Sequence, residues 1–206
     1  MEFGPRALGG RSILGDARSP KLQSLMNLKT KYRESFRPFA PAVLREHVHQ
    51  YFEAAPNLDS PYMLLVSQVR EELLTDEGKK NRTPGGDNQN YDSIGLAEIH
   101  AVRSTVPAIT HVDCSARLQT VDAERNPRFH RLLSEFHAQT GSPLVINTSF
   151  NVRGEPIVCT PQDAWNCFAA TQMDALVIGK CLIRKTAQKN LPAVNWNDYI
   201  GKFPLD

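Results

Sequence analysis

The chain has 206 residues, enough for one domain of roughly 150–200 residues and a tail. A globule of this size buries about 70% of its unfolded surface, so it needs neither a disulfide nor a structural metal to fold. The net charge of +2 is too small for bulk electrostatics to drive DNA binding, so any positive site must be local.

Residues 1–20 carry several Gly turn signals and two prolines, and read as a loop-rich connector cut from a longer chain. Apolar residues at Leu22, Leu25, Met26 and Leu28 predict a helix reaching about Tyr32. Pro38 and Pro41 bar a helix interior from the next segment, which reads as an extended edge strand followed by a helical turn near Glu46 to Phe52. The apolar run from Pro61 to Val69 predicts a core strand. Residues 70–98 are polar, with Pro84-Gly85-Gly86 in their midst, and read as a mobile surface insertion. A further strand is expected over Ala108 to Val112.

Asn126 and Pro127 are an N-cap and a first helical residue, and the helix they open runs to about Thr140 and stops at Gly141. Pro143 to Phe150 is a strand ending in polar residues. Thr160, Pro161 and Asp163 start a second helix, which runs to about Met173. Residues 174–185 then give a strand or hairpin. Residues 187–206 read as a tail packed by Trp196, Tyr199 and Phe203. Strands and helices are interspersed without a regular βαβ repeat, so the expected class is a two-layer α/β (α+β) fold with a twisted, mixed sheet and packed helices.

Cys114, Cys159, Cys167 and Cys181 form no CxxC pair, and no histidine cluster has zinc-finger spacing, so reduced thiols are expected. No apolar run approaches the ~18 residues that span a bilayer, and the first ten residues lack the pattern of a signal peptide, which together point to the cytoplasm. His47 and His49 have the spacing of metal ligands across a strand, but the plainer reading is two surface or half-buried side chains.

Four segments concentrate polar groups. From Lys29 to Pro38 the chain crowds charges before an apolar strand. If that stretch is extended, Lys31, Arg33 and Arg37 share one face, a pattern that fits phosphate oxygens or, equally, a solvated charged edge. His111 to Arg117 mixes a base, a carboxylate, a hydroxyl and a guanidinium. Nothing puts them in the order of a hydrolytic triad, so the segment reads as a substrate loop with Arg117 on a phosphate, or as a turn built by Asp113 and Ser115. Asn147 to Pro156 runs from a buried strand into hydroxyl, amide and guanidinium groups, suited to a nucleotide's phosphates and sugar or to a simple Ser/Thr turn. The opening, Glu2 to Ser12, brings Arg6 and Arg11 among glycines without the spacing of a phosphate-cradling GxxxxGK[ST] loop.

EFGPRALGGRSIL, NLKTKYRESFRPFAPAV, HVDCSARLQTV and NTSFNVRGEPIV, in this order, resemble the carboxy-terminal part of O-carbamoyltransferases of the nodulation-factor and antibiotic-tailoring type. The resemblance spans about residues 1–185 and divides the chain into a connector (1–20), a YrdC-like domain (21–186) and a tail (187–206). It implies a domain that forms carbamoyladenylate from carbamoyl phosphate and ATP. In the family a kinase-like amino-terminal domain with a metal site then passes the carbamoyl group to an alcohol, and that domain is expected to be absent from this chain. The family's Lys-x-Arg and Ser-x-Asn elements fall on Lys31-Tyr32-Arg33 and Ser149-Phe150-Asn151, with Gly154 following. The roles implied are phosphate and carbamoyl-donor binding by Lys31, Arg33 and Arg117, positioning by Ser149 and Asn151, and an extra anion contact by Arg153. Mg²⁺ is expected to accompany ATP through phosphate oxygens and water. One departure is Cys114, where the family usually has Gly; a side chain there bears on the loop's preference for positive φ. The competing expectations are an RNA-binding module, disfavoured by the small net charge and the lack of aromatics among the basic residues, and a domain that binds nucleotide without turnover.

Overall fold

A computed structural model describes residues 8–82, 100–189, 198–199 and 201–203. Seven strands and five α-helices organise them. They are β1 (Ser12–Gly15), α1 (Leu22–Met26), β2 (Ala40–Leu44), α2 (Val48–Tyr51), β3 (Leu65–Gln68), α3 (Asp76–Asn81), β4 (Ser115–Val121), α4 (Pro127–Thr140), β5 (Leu144–Ser149), α5 (Pro161–Ala170), β6 (Ala175–Ile178) and β7 (Cys181–Arg184). β1 to β5 form one sheet in the order β1-β5-β2-β4-β3, while β6 and β7 make a separate hairpin. β2 pairs parallel with β4 and antiparallel with β5, so the sheet is mixed and the fold is of the α/β class expected.

The expectation of an edge strand at residues 36–44 is corrected: β2 is the central strand, buried along its whole length. A proline is tolerated there because of where its missing donor points. The Leu44 N–H donates to Pro143 O on the β5 side, so by two-residue alternation the nitrogen of Pro41 faces β4. The β4 ladder begins only at Ala42, and no sheet hydrogen bond is lost. The run from Pro61 to Val69 is corrected the other way. β3 is an edge strand whose Leu65 and Val66 are exposed, and the buried residues of the run, Met63 and Val69, flank it. The strand expected at Ala108 to Val112 is a 3₁₀ turn, Pro107–Ile109, closed by Thr110 Oγ1 donating to Val106 O; the ladder starts at Ser115 instead.

Helix punctuation follows the sequence closely. Asn126 caps α4, which ends at Gly141 in the left-handed region (φ 74°). Thr160 and Asp163 form a reciprocal capping box on α5, which stops at Ala170, earlier than expected. The first helix is shorter than its apolar pattern: α1 gives way to a π turn over Asn27–Lys31, ended by Tyr32 at φ 52°. Within the stretch read as an insertion, residues 70–82 are folded. Leu74 is buried and bridged to Ser104, and Thr75 caps α3 by accepting from Gly78 N–H. Residues 83–98 lie outside the described residues, as does Trp196; Tyr199 and Phe203 pack on the core as expected.

Alternation along the sheet sets up two faces. Ala116 and Leu118, Val43, Leu144 and Ile146, and Ile13 point into the larger core with Phe52 and Phe168. On the opposite face Val121, Leu44 and Val145 lie beneath Phe129 and Leu133 of α4. Further along that same face come Gln119, Ala42 and Asn147, then Arg117, Ala40 and Ser149. A single sheet face therefore grades from an apolar core, through a buried amide pair in which Asn147 Nδ2 donates to Gln119 Oε1, to cationic and hydroxyl groups at the far end.

Cys114 stands at φ 62°, the left-handed region, and its buried Sγ donates to Gly78 O at 3.2 Å. Glycine would relieve the strain there while losing a small packed side chain, two effects of about 1 kcal/mol that oppose each other. A β-branched residue fits this φ worst. In urea denaturation Cys114→Gly is expected within about 1 kcal/mol of the parent, and Cys114→Val about 2–3 kcal/mol below it. Equal midpoints for the two variants would show that backbone conformation does not govern this position.

Candidate functional site

At the polar end of that sheet face lies a cleft of about 420 Å³, a size suited to a small-molecule ligand. Its walls include Lys31, Arg33, Arg37, Arg117 and Arg153, with Asn147, Thr148, Ser149, Asn151 and Gly154. Phe39 and Met63 supply apolar wall. Five cations line it, and no aspartate or glutamate is among the described lining residues. In a chain of net charge +2 this is a local concentration of positive charge.

The cations converge by a route other than the shared strand face expected of Lys31, Arg33 and Arg37. Lys31 ends the π turn, and Tyr32 in its left-handed conformation reverses the chain, with Arg33 N–H donating to Asn27 O at 3.0 Å. The Lys31 ammonium enters the turn after β5, where it meets Ser149 O at 2.9 Å, Asn151 O at 2.7 Å and Asn151 Oδ1 at 2.6 Å, with Ser149 Oγ at 3.4 Å. Burial first, and the neighbouring Arg33 second, draw the Lys31 ammonium down from its usual range to about 7. Arg33 donates from Nε to Asn27 Oδ1 at 2.6 Å and lies over the Phe39 ring at 4.8 Å. Burial and the adjacent Arg37 lower the Arg33 guanidinium to about 10, which leaves it charged at neutral pH. Arg117 reaches the cleft from β4, half-buried, and Arg153 from the exposed turn.

The turn itself is tied internally. Ser149 Oγ donates to Asn151 Oδ1 at 2.7 Å, and Asn151 Nδ2 donates to Glu155 O at 2.7 Å. Gly154 adopts φ 74°, which a side chain would strain, and Arg153 N–H donates to Lys31 O at 3.2 Å. The six residues singled out from sequence, Lys31, Arg33, Arg117, Ser149, Asn151 and Arg153, all line this one cleft.

Other candidates fall elsewhere. Ser115 donates to Asp113 Oδ1, through Oγ at 2.7 Å and N–H at 3.0 Å, which builds a turn from which the chain leads to Arg117 in the cleft wall. Burial lowers the affinity of His111 for a proton. His47 bonds Gln50 and stands edge-on to His137, and no group of three metal-ligating side chains occurs among the described residues. Arg11 donates to Val158 O at 3.1 Å, and Arg6 lies outside the described residues. All four cysteines are free thiols, as expected. No described helix is long and apolar enough to cross a membrane.

Asn147 and Glu155 fall within the polar segment singled out from sequence, but neither was given a role of its own. Asn147 carried a signal, an amide in the buried half of an otherwise apolar strand; Glu155 carried none short of the tertiary fold.

The chain is a mixed-sheet α/β domain with one sheet face ending in a cationic cleft that no carboxylate lines among the described residues. The chain belongs to the carbamoyltransferase C-terminal family, whose model, Carbamoyltransferase C-terminus, matches residues 1–185. Among its relatives, protein sll1178 of Synechocystis is 57% identical over 91% of this chain and 29% of its own length. The nodulation protein NolO of Bradyrhizobium diazoefficiens is 39% identical over 89% of this chain and 28% of its own length. The 3'-hydroxymethylcephem-O-carbamoyltransferase of Streptomyces clavuligerus is 33% identical over 90% of this chain and 29% of its own length. The chain thus spans less than a third of the length of these relatives.

With Lys31 titrating near 7, a bound anion favours its charged form, so binding takes up protons above that pH. Affinity for sulfate, which does not itself titrate between pH 7 and 9, is expected to fall across that window in an NMR titration. A flat profile would contradict the assigned environment of Lys31.

Proposed function

We propose that this domain makes carbamoyladenylate from carbamoyl phosphate and ATP, and that a further domain of the full-length transferase passes the carbamoyl group to an alcohol. The observation that carries the reading is the cleft: five cationic side chains, a hydroxyl–amide turn and no carboxylate among the described lining residues. Family membership supports a carbamoyltransferase role, and the Streptomyces clavuligerus relative is by name an O-carbamoyltransferase.

Two steps account for the atoms. Water cleaves carbamoyl phosphate to carbamate and phosphate. A carbamate oxygen then attacks the α-phosphorus of ATP, forming the new P–O bond as pyrophosphate leaves with the electron pair. Both steps crowd negative charge into one space, and the barrier falls where fixed positive groups already surround it. Arg33, Arg37, Arg117 and Arg153 supply guanidinium forks to the phosphate oxygens. Lys31 holds Ser149 and Asn151 in place and adds charge beneath the turn, and those two position the phosphates and the carbamoyl group. Mg²⁺ brought by ATP would be held by phosphate oxygens and water, since the described lining residues offer it no carboxylate. None of the steps requires a covalent protein nucleophile.

Carbamoyl-phosphate-dependent ATP–pyrophosphate exchange tests the proposal. Arg117→Ala should lower exchange by more than about 100-fold with the melting temperature held. Lys31→Ala should abolish exchange and also lower stability, because its ammonium ties Ser149 and Asn151 together. Undiminished exchange in both variants would remove the cleft from the reaction.

A further inference from the structure

Behind the Ser149–Gly154 turn, away from the cleft, lies Glu155, a carboxylate with only 8% of its surface exposed. Its Oε2 accepts from Val152 N–H at 2.8 Å, and its backbone oxygen accepts from Asn151 Nδ2 at 2.7 Å. Its Oε1 accepts from the hydroxyl of Tyr199, which comes from the last residues of the chain. Tyr199 is 6% exposed, packs edge-on against Phe203 at 5.4 Å between ring centres, and belongs to the main core. These last residues lie beyond the 1–185 stretch that the family model matches, yet they reach the structural support of the site.

A buried carboxylate stays ionised only if hydrogen bonds and nearby charge replace its water. Val152 N–H, the Tyr199 hydroxyl and the Cys167 thiol surround Glu155, and the Lys31 ammonium lies close enough to feel its charge. Loss of the Tyr199 hydroxyl takes away the donor to Oε1. The carboxylate must then rotate, releasing Val152 N–H and with it the Asn151–Gly154 backbone. Asn151 accepts from Lys31 and Ser149 at its other end, so the disturbance reaches the cleft wall.

We propose that Tyr199 is a positioning residue: through Glu155 the carboxy-terminal segment clasps the turn that carries Ser149 and Asn151 and fixes the shape of the anion cleft. The inference rests on the reading of that cleft as a nucleotide site only for its effect on ATP; the clasp itself does not depend on the ligand.

Two measurements on the full chain test it. Tyr199→Phe removes one oxygen and no apolar volume. Hydrogen exchange by mass spectrometry should show faster exchange across residues 150–155 in Tyr199→Phe, with exchange in β4 and α4 unchanged. Calorimetry with ATP and Mg²⁺ should show affinity lower by about tenfold, the loss of one hydrogen bond to a charged group. Glu155→Gln should reproduce both effects, and the double variant should add little to either single one, since all three break the same link. Unaltered exchange across residues 150–155 in Tyr199→Phe overturns the clasp. So does a fall in melting temperature alone, with turn exchange and ATP affinity at parent values. If the parent protein binds no ATP, the nucleotide reading fails, while the exchange comparison still decides whether the clasp exists.

Discussion

The site depends on one buried ammonium. Lys31 reaches 118 residues along the sequence to Ser149 and 120 to Asn151, and its hydrogen bonds there join two chain segments into a single wall. A lysine at 5% exposure is costly unless each proton finds an oxygen, and two backbone carbonyls of the turn and the Asn151 side-chain oxygen supply them. The same contacts that satisfy the charge therefore set the spacing of the cleft. Arg33 is held by Asn27 and the Phe39 ring, while Arg37 and Arg153 stand at the exposed rim.

The central strand makes room for this. Ala40 and Ala42 are the small residues of the sheet face that carries Arg117, Gln119, Asn147 and Ser149. Between two neighbouring strands bearing long polar side chains, alanine leaves the space in which Asn147 and Gln119 meet. Their amide pair separates the apolar region under α4 from the cationic cleft. Pro41, which looks out of place in a central strand, points its missing donor to a site where the ladder has not begun.

Much of this was legible in the residues. The caps at Asn126 and Thr160 act locally, so α4 and α5 start where the sequence places them. The class of fold was readable for the same reason, from the order of strands and helices. The rank of a strand in the sheet was not. FRPFAPAVL carries the proline signature of an edge and sits at the centre, while the apolar run after Pro61 sits at the edge with Leu65 and Val66 exposed. Neighbour identity is a tertiary property that composition within a strand cannot encode. The six residues singled out from sequence line one cleft, but the expected reason for Lys31, Arg33 and Arg37 to cluster was an extended strand. A π turn and a left-handed Tyr32 achieve the convergence instead, and neither has a reliable signature in a short window. Glu155 and Tyr199 were invisible as partners because 44 residues separate them.

The span between Lys31 and Ser149 also bears on how the domain acquires its shape. β2 must find β4 and β5 across some 75–105 positions before the cleft has walls, so contacts of high sequence separation dominate the sheet. Chains of this topology fold slowly compared with helical bundles, because loop-closure entropy is lost before the pairing repays it. No half-formed intermediate can hold a polyanion between segments that have not yet met. Occupancy of the cleft is therefore linked to completion of the whole sheet, and any anion that binds there acts as a thermodynamic brake on unfolding of the entire domain.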